Sequence, residues 1–400
     1  MVGVLLQQRR TTAKLFRALA EIWPKCAGRI PLAPLKGYCG NQRAIFWLQA
    51  DPLFIYWLLF AYFAAGTFAR SEQIPSQVMR PAMLFGALLM IGVIGLRFQV
   101  GADWRTYQAI LRHSSFVSFG DALARGDPAY QAINWAVVNL GYGLWLVNVI
   151  CGALFVWGLT RLASRQPSPF LAIAVAVPYL VIVVAMGYTR QAAAIGIAMA
   201  GLAAFERSGS VIRFALYVAV AALFHKTAVV ILPLVIFSGR HNRLANFLAG
   251  VALSYLLYDT FLSNSVNQLV TNYVSQKYDS QGAAIRVIMN IVPAALFLIT
   301  GNKMGFLPSQ ASVWRSFSIV AFLLLIALLI SPSSTAIDRI ALYIIPLQIV
   351  IFSRLYKTFE KQNTGKTIII LYAAAVQFTW LNFAVHSKYW IPYHFYPFNV

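Results

Sequence analysis

The chain has 400 residues, of which 60% are apolar and only 11% are charged, and its formal net charge is +21. The apolar residues gather in blocks of roughly 17 to 20, the length that crosses a hydrocarbon core, whereas a soluble domain would mix polar and apolar residues more evenly. Most Lys and Arg residues fall in short segments between these blocks, which argues for orientation in a membrane and against nucleic-acid binding.

The spanning segments must be helices or a closed barrel, because lipid offers no hydrogen-bond partner to backbone N–H and C=O groups. The repeat of a membrane barrel, about ten residues of alternating polarity per strand, is absent. The sequence therefore predicts an all-α polytopic integral membrane protein with about 10 to 12 transmembrane helices.

Three regions follow one another along the chain. A basic N-terminal extension, 1–43, interfacial or disordered, precedes one transmembrane helical domain, 44–390, which carries polar outer loops at 97–130 and 259–283. An outward-facing tail, 391–400, follows the domain. The predicted spans are 52–68, 81–96, 143–162, 168–187, 189–205, 211–224, 226–238, 242–258, 284–301, 314–330, 337–352 and 367–386.

Basic residues sort the turns between spans into two alternating sets. One set carries Arg161, Arg165, Arg207, Arg213, Arg240, Arg243, Lys303, Arg315, Arg354, Lys357, Lys361 and Lys366. An excess of Lys and Arg is typical of cytoplasmic turns, so the other set, with both polar loops, is predicted to face outward. The same alternation places the N-terminal extension outside, in conflict with its many basic residues. Three explanations of this conflict stay open: a further membrane element at 131–140, an extension lying on a membrane surface, or an extended start.

Charged side chains beside the spans are concentrated at the outer ends. A charged residue within a span raises the free energy of membrane insertion by about 2.5 to 3.5 kcal/mol, so each such residue is expected to have a structural or functional role. A cation at a helix N-terminus opposes the helix dipole, so Arg190 favours an anion nearby, although anchoring to lipid headgroups explains it too. Together, the charged residues at the outer ends predict an outward-facing cavity with a cationic lining. These residues are Arg97, Asp103, Arg190, His225, Lys226, Arg286, Asp338 and Arg339.

Several of these residues also have a purely structural interpretation. Arg97 could reach water from a helix end, with Asp103 as a helix cap. His225 could be a buried hydrogen-bonding residue, and Asp338 with Arg339 could form an internal ion pair that only lowers the cost of insertion.

Five short pieces of sequence occur in a recognisable order. They are Arg97 to Gly101 with Asp103 and Tyr107, Tyr188 to Gln191, Phe224 with His225, Arg339 with Tyr343 and Pro346, and Trp390 to Tyr393. In these pieces the chain resembles the EpsG family of exopolysaccharide polymerases, relatives of the Wzy-type O-antigen polymerases. It departs from the family pattern in its basic extension and in Lys226 after the histidine.

The resemblance implies a metal-independent glycosyltransferase that polymerises undecaprenyl-diphosphate-linked repeat units at the periplasmic face of the bacterial inner membrane. It also implies a fold similar to the lipid-dependent type C glycosyltransferases. Expected partners are the lipid-linked glycans, membrane lipids, and a chain-length regulator and flippase of the same pathway. No cofactor or metal is expected, because no carboxylate pair with suitable spacing lies on the outer face.

The site residues expected from the resemblance and from the charged outer ends of the spans divide into two groups. The catalytic group is His225, Asp103 and Arg190, and either His225 or Asp103 could be the base. The group that binds diphosphate or glycan is Arg97, Tyr107, Gln191, Arg339, Asp338, Arg286 and Tyr393. Outer aromatic residues either stack on sugars or belong to the membrane-interface belt: Trp104, Tyr107, Tyr188 and Trp390.

Two other functions compete with polymerisation. A transporter or flippase of an anionic lipid-linked sugar would also need a basic cavity, but with access from both faces. A membrane O-acyltransferase would use a histidine on acyl chemistry and would need an acyl donor. The charged groups lie at one side only, which favours the enzyme that works at one face.

Overall fold

The computed structural model of the protein describes residues 53–69, 76–236, 243–261, 282–331 and 334–398. The predicted extension, 1–43, and most of the second polar loop lie outside these ranges. Every regular element in the described ranges is a helix, apart from one isolated β-bridge between Arg97 and Phe395. The predicted all-α class is confirmed.

The first nine helices of the described ranges, α1 to α9, lie between residues 54 and 224. Their bounds are α1 Phe54–Phe68, α2 Ser76–Gly95, α3 Trp104–Ser114, α4 Phe119–Ala124, α5 Pro128–Asn139, α6 Leu144–Ala163, α7 Pro169–Ala176, α8 Thr189–Ser208 and α9 Val211–Phe224. Helix α7 runs on as a π-helical segment, Val177–Ala185, so the predicted span at 168–187 changes its winding halfway. Helices α3 and α4 lie in the first polar loop, and α5 begins in that loop and continues past its predicted end at residue 130. We call residues 104–139 the cap.

The remaining helices follow a 3₁₀ segment, Lys226–Ile231. They are α10 Pro233–Ile236, α11 Arg243–Phe261, α12 Ala283–Thr300, α13 Pro308–Ile330, α14 Thr335–Ile344, α15 Pro346–Leu355 and α16 Gln362–Phe383. The predicted span at 226–238 is therefore not one continuous α-helix. Pro233 accounts for the division, because proline has no N–H for the preceding turn and tolerates the first turn of a helix.

Helix length and composition identify the membrane spans. Four helices in the described ranges qualify: Leu144–Ala163, Ala283–Lys303, Pro308–Ile330 and Gln362–Phe383. Helices α14 and α15, bent by 41° at their junction, qualify as a fifth when taken together, and six further apolar helices are shorter. The chain is a polytopic membrane protein, and the predicted number of spans requires the shorter helices to cross as well.

Helices α6 and α8 pack with their backbones in close contact at Gly158 and Gly196. A Cβ atom added at Gly158 would overlap the backbone carbonyl of Gly196. Helix α8 is rich in Ala and Gly and is buried along most of its length. Small residues let membrane helices approach until their backbones touch, which is where dispersion contacts are strongest.

Replacing Gly158 with alanine is expected to destabilise the bundle. The added methyl group must separate α6 from α8, and overpacking of this kind costs about 1 to 3 kcal/mol. Thermal unfolding of the purified protein in detergent measures the loss. Gly92→Ala is the matched control, because nothing lies within 4 Å of a Cβ atom there. Equal stability of the two variants would contradict the proposed close packing.

The bundle has two distinct ends. At one end, Arg354 donates to Gln166 Oε1 at 2.9 Å and to the carbonyl of Gly305 at 3.1 Å, which ties together three of the turns in the basic set. At the other end, the backbone N–H of Phe98 donates to the carbonyl of His394 at 2.9 Å. The C-terminal segment therefore packs beside the cap, away from those basic turns.

Candidate active site

A cavity of about 180 Å³ opens at the cap end of the bundle. Its lining is Asp103, Tyr107, Tyr188, Arg190, Gln191, His225, Thr335, Asp338, Arg339 and Leu342. Seven of the ten predicted site residues are in this lining, although they come from four separate segments of sequence. Arg97, Arg286 and Tyr393 are not among the lining residues.

Four helix ends carry the lining residues into the cavity. Asp103 immediately precedes α3, and Arg190 is the second residue of α8. His225 follows α9 in an extended conformation, with φ −160° and ψ 109°, before the chain turns into the 3₁₀ segment. Arg339 lies in the first half of α14. Because these four side chains lie at or near helix ends, the helices of the membrane domain themselves form the cavity lining. A separate soluble domain is not needed to supply these side chains.

The Arg190 guanidinium is held by a carboxylate that the sequence analysis did not single out. Arg190 Nη1 lies 2.8 Å from Asp127 Oδ2, and the Arg190 side chain keeps 33% of its surface exposed. The Arg190 guanidinium also lies over the ring of Tyr130, 5.9 Å from its centroid. Asp127 thus fixes one edge of the guanidinium and leaves the rest accessible from the cavity.

Asp127 also reaches the turn that carries His225. Its Oδ2 atom lies 3.8 Å from His225 Nδ1, too far for a hydrogen bond, and its Oδ1 atom accepts from the backbone N–H of Lys226 at 3.4 Å. Asp127 is therefore in contact with two of the three predicted catalytic residues, Arg190 and His225. It connects α5, α8 and the end of α9.

Two of the carboxyl groups near the cavity, those of Asp103 and Asp127, differ in their proton affinity. Burial raises the pKa of Asp103, and the nearby charges of Arg190 and Arg339 only partly oppose this. Burial also acts to raise the pKa of Asp127, but His225 and Arg190 more than offset it, so that pKa lies below its ordinary value. Asp127 is therefore the carboxyl that stays ionised to lower pH.

A tyrosine of the cap completes this side of the cavity. Burial raises the pKa of Tyr107 to about 12, so its hydroxyl stays neutral and can donate a hydrogen bond. The Tyr107 ring packs edge-on against Tyr130, with centroids 5.9 Å apart. Together with Tyr188 it supplies the two aromatic side chains of the cavity lining.

On the opposite wall, Gln191 Nε2 donates to the backbone carbonyl of Arg339 at 2.9 Å. This bond connects the start of α8 to α14 and fixes the backbone from which the Arg339 side chain projects. Arg339 itself is exposed. The cavity therefore presents two guanidinium groups, Arg190 and Arg339, from two helices that are fastened to each other.

Arg97 lies behind the cavity wall, fully buried, and does not reach water as a helix-end side chain would. Its Nη2 atom donates to Thr189 Oγ1 at 2.8 Å and to Asn148 Oδ1 at 3.2 Å, while Nε donates to the carbonyl of Val100 at 3.2 Å and Nη1 to that of Ile94. Thr189 immediately precedes Arg190. This position supports a role in holding the start of α8.

Arg286 forms a second buried cluster behind the lining. Its guanidinium pairs with Asp338 and donates to the hydroxyl groups of Tyr179 and Tyr188, the latter at 3.1 Å. Both Asp338 and Tyr188 line the cavity. The cluster therefore joins α12 and α14 to the π-helical segment and supports two residues of the cavity wall.

The C-terminal aromatic residues are part of the core rather than the cavity. The Tyr393 hydroxyl donates to the carbonyl of Val93 at 2.8 Å, and its ring packs edge-on against Tyr56. Trp390 is buried and its Nε1 donates to the carbonyl of Ile182 at 2.8 Å. Neither side chain is placed to stack on a sugar in the cavity.

Two signals in the sequence could have pointed to Asp127. Only 11 residues of the whole chain are acidic, so each one in an outer loop is a candidate partner for a functional arginine. Asp127 also directly precedes Pro128, a pair typical of a helix start. Its long-range contact with Arg190, across 63 positions, has no signature in a single sequence.

The fold and the site together define a polytopic membrane protein with a cationic cavity at one end, which contains carboxyl groups and a histidine beside two arginines. The EpsG family model matches residues 82–395, and the chain belongs to the EpsG family. No curated protein and no solved structure matches the chain. Membership of this family supports a role like that of an exopolysaccharide polymerase.

Proposed function

We propose that the protein is a polysaccharide polymerase that joins undecaprenyl-diphosphate-linked oligosaccharide repeats at the periplasmic face of the bacterial inner membrane. The observation that carries this proposal is the convergence of Arg190, Arg339, Asp103 and His225 on one cavity. An anion-binding pair and two candidate bases are what glycosyl transfer from a lipid diphosphate requires.

The two arginines suit the leaving group. A guanidinium stays protonated at all physiological pH values and can donate two parallel hydrogen bonds to phosphate oxygens. Arg190 and Arg339 approach from different helices, so they can hold a diphosphate between them. A donor preorganised for the charge that develops in the transition state contributes about 3 to 4 kcal/mol.

The reaction needs one proton acceptor. The acceptor sugar's hydroxyl oxygen attacks the anomeric carbon, the bond from that carbon to the diphosphate oxygen breaks, and its electron pair leaves with the diphosphate. The hydroxyl proton passes to His225 or to Asp103. His225 is the base we favour, because it ends a helix beside an ionised carboxylate, while Asp103 can orient a sugar hydroxyl.

The position of the cavity supports a periplasmic reaction. The basic turns around Arg354 lie at the end of the bundle opposite the cap, and an excess of basic residues marks cytoplasmic turns. The cavity end then faces the periplasm, where lipid-linked repeat units meet a growing chain. An expected chain-length regulator and flippase would act on the same substrates.

Replacing His225 with glutamine is expected to lower kcat by about 10²- to 10⁴-fold, the usual contribution of a general base. The assay uses the purified full-length protein in vesicles without any ion gradient, supplied with labelled lipid-diphosphate-linked repeats, and measures the length of the glycan product. His113→Gln, an exposed histidine of the cap, is the matched control and keeps the wild-type rate.

Three results would count against the proposal. Label that crosses the bilayer without becoming longer would identify a transporter. Activity that requires an acyl donor would identify an O-acyltransferase. A wild-type rate for His225→Gln would remove the histidine from the mechanism and leave Asp103 as the base.

A further inference from the structure

The geometry points to Asp127 as a positioning residue that orients the His225 ring, with Nδ1–H directed at the Asp127 carboxylate and Nε2 directed at the reacting hydroxyl. This inference rests on the proposed function and adds a residue to it. Asp127 also holds Arg190, so a single carboxylate would set both the base and the diphosphate-binding group.

The state of the His225 ring supports this orientation. Its Nδ1 atom is buried and has no hydrogen-bond partner among the described residues, a costly condition for a polar group. The Asp127 carboxylate, 3.8 Å away, is the acceptor in contact with it. Closing that gap to hydrogen-bond length takes a shift of roughly 1 Å, and such bonds are often long before substrate binds.

The direction of the Asp127 carboxylate also supports this orientation. Asp127 is the residue before α5, where an aspartate commonly caps its own helix, yet its side chain makes no such bond. Its oxygens extend instead to Arg190 and to the backbone N–H of Lys226, the residue after His225. The carboxylate is therefore directed at neighbouring elements rather than at the backbone of its own helix.

The charges around the His225 ring support a positioning role for Asp127 as well. When the hydroxyl proton moves to Nε2, the ring becomes an imidazolium. Arg190 from α8 and Arg339 from α14 both disfavour that cation, and Lys226 adjoins it in the chain. Asp127 from α5 is the negative group in contact with the ring, so its ionised carboxylate stabilises the imidazolium and fixes the tautomer that can accept a proton.

A measurement without substrate tests the orientation of the ring. Protein labelled with ¹⁵N-histidine has five histidine signals, and His225→Gln assigns the one that matters. We expect the Nδ1–H tautomer in the wild type, and in Asp127→Asn a mixture of tautomers whose titration midpoint lies at lower pH. A proton on Nε2 in the wild type, or an unchanged spectrum in Asp127→Asn, would overturn the inference.

Kinetics test whether that orientation matters to the reaction. Asp127→Asn is expected to lower kcat by about 10- to 10⁴-fold, a range between the effect of removing a group that orients a metal-bound histidine and that of removing the orienting carboxylate of a catalytic triad. The acid limb of the kcat profile should move to lower pH, while a change in KM reports the contact of Asp127 with Arg190. In a His225→Gln background the same substitution should cause a clearly smaller loss, because only the part that acts through Arg190 remains and residues that act as a unit are not additive.

Two controls separate orientation from folding. Asp127→Glu keeps the charge and should retain much of the rate, while Asp121→Asn removes an exposed carboxylate of the cap and should behave as wild type. An equal loss from Asp127→Asn with and without His225 would overturn the inference. Since the ¹⁵N measurement needs no polymerisation, failure of the proposed function and failure of this inference can be told apart.

Discussion

Replacing Arg190 with lysine is expected to abolish long polymer while the protein stays folded and inserted in the membrane. A lysine can keep a contact with Asp127, because it carries the same charge. Its single ammonium group cannot hold Asp127 at 2.8 Å and also fork onto phosphate oxygens, as the guanidinium can. Loss of one preorganised donor costs about 3 to 4 kcal/mol in the transition state, or roughly 10²- to 10³-fold in rate.

The measurement is the glycan length distribution in cells, normalised to the amount of protein in the membrane. Arg112→Lys is the matched control, because Arg112 is an exposed arginine of the cap that does not line the cavity. Arg112→Lys should give normal chain lengths at normal abundance. Normal polymer from Arg190→Lys would mean that a single positive charge suffices at this position. Bidentate hydrogen bonding to phosphate would then no longer be part of the proposed mechanism.

From the sequence, the end of the bundle at which the charged side chains lie was easier to predict than the direction in which each side chain points. The cost of burying a charge keeps such residues near helix ends, and this constraint is visible in a single sequence. Direction depends on how each helix is rotated in the bundle. Arg97 shows the difference, since it belongs to the right region but points into the core, where Asn148 and Thr189 accept its hydrogen bonds.

The sequence patterns also did not predict the irregular helical winding of several spans. An apolar run predicts that a segment is buried but gives no signal for a π-helix, which is how Val177–Ala185 is wound. Prolines give a partial signal, because they remove a helical hydrogen bond. Pro346 marks the 41° bend between α14 and α15, and Pro233 marks the start of α10.

The buried pair of Arg286 and Asp338 should have the largest effect on stability. Both side chains are less than one-tenth exposed, and the Arg286 guanidinium also donates to Tyr179 and Tyr188. Asp338→Ala would leave a buried cation uncompensated, which costs about 3 to 5 kcal/mol. Thermal unfolding in detergent measures this loss, and Asp121→Ala, at an exposed carboxylate, should show almost none.

A double variant separates stability from chemistry at this pair. Replacing both charges, as in Arg286→Met with Asp338→Leu, should recover much of the stability, because removing a whole buried pair is far less costly than breaking it. If Asp338→Ala alone is as stable as the double variant, Arg286 is not held mainly by this carboxylate. Asp338 also lines the cavity, so a double variant that is stable but makes no polymer would show that the pair serves the reaction as well as the fold.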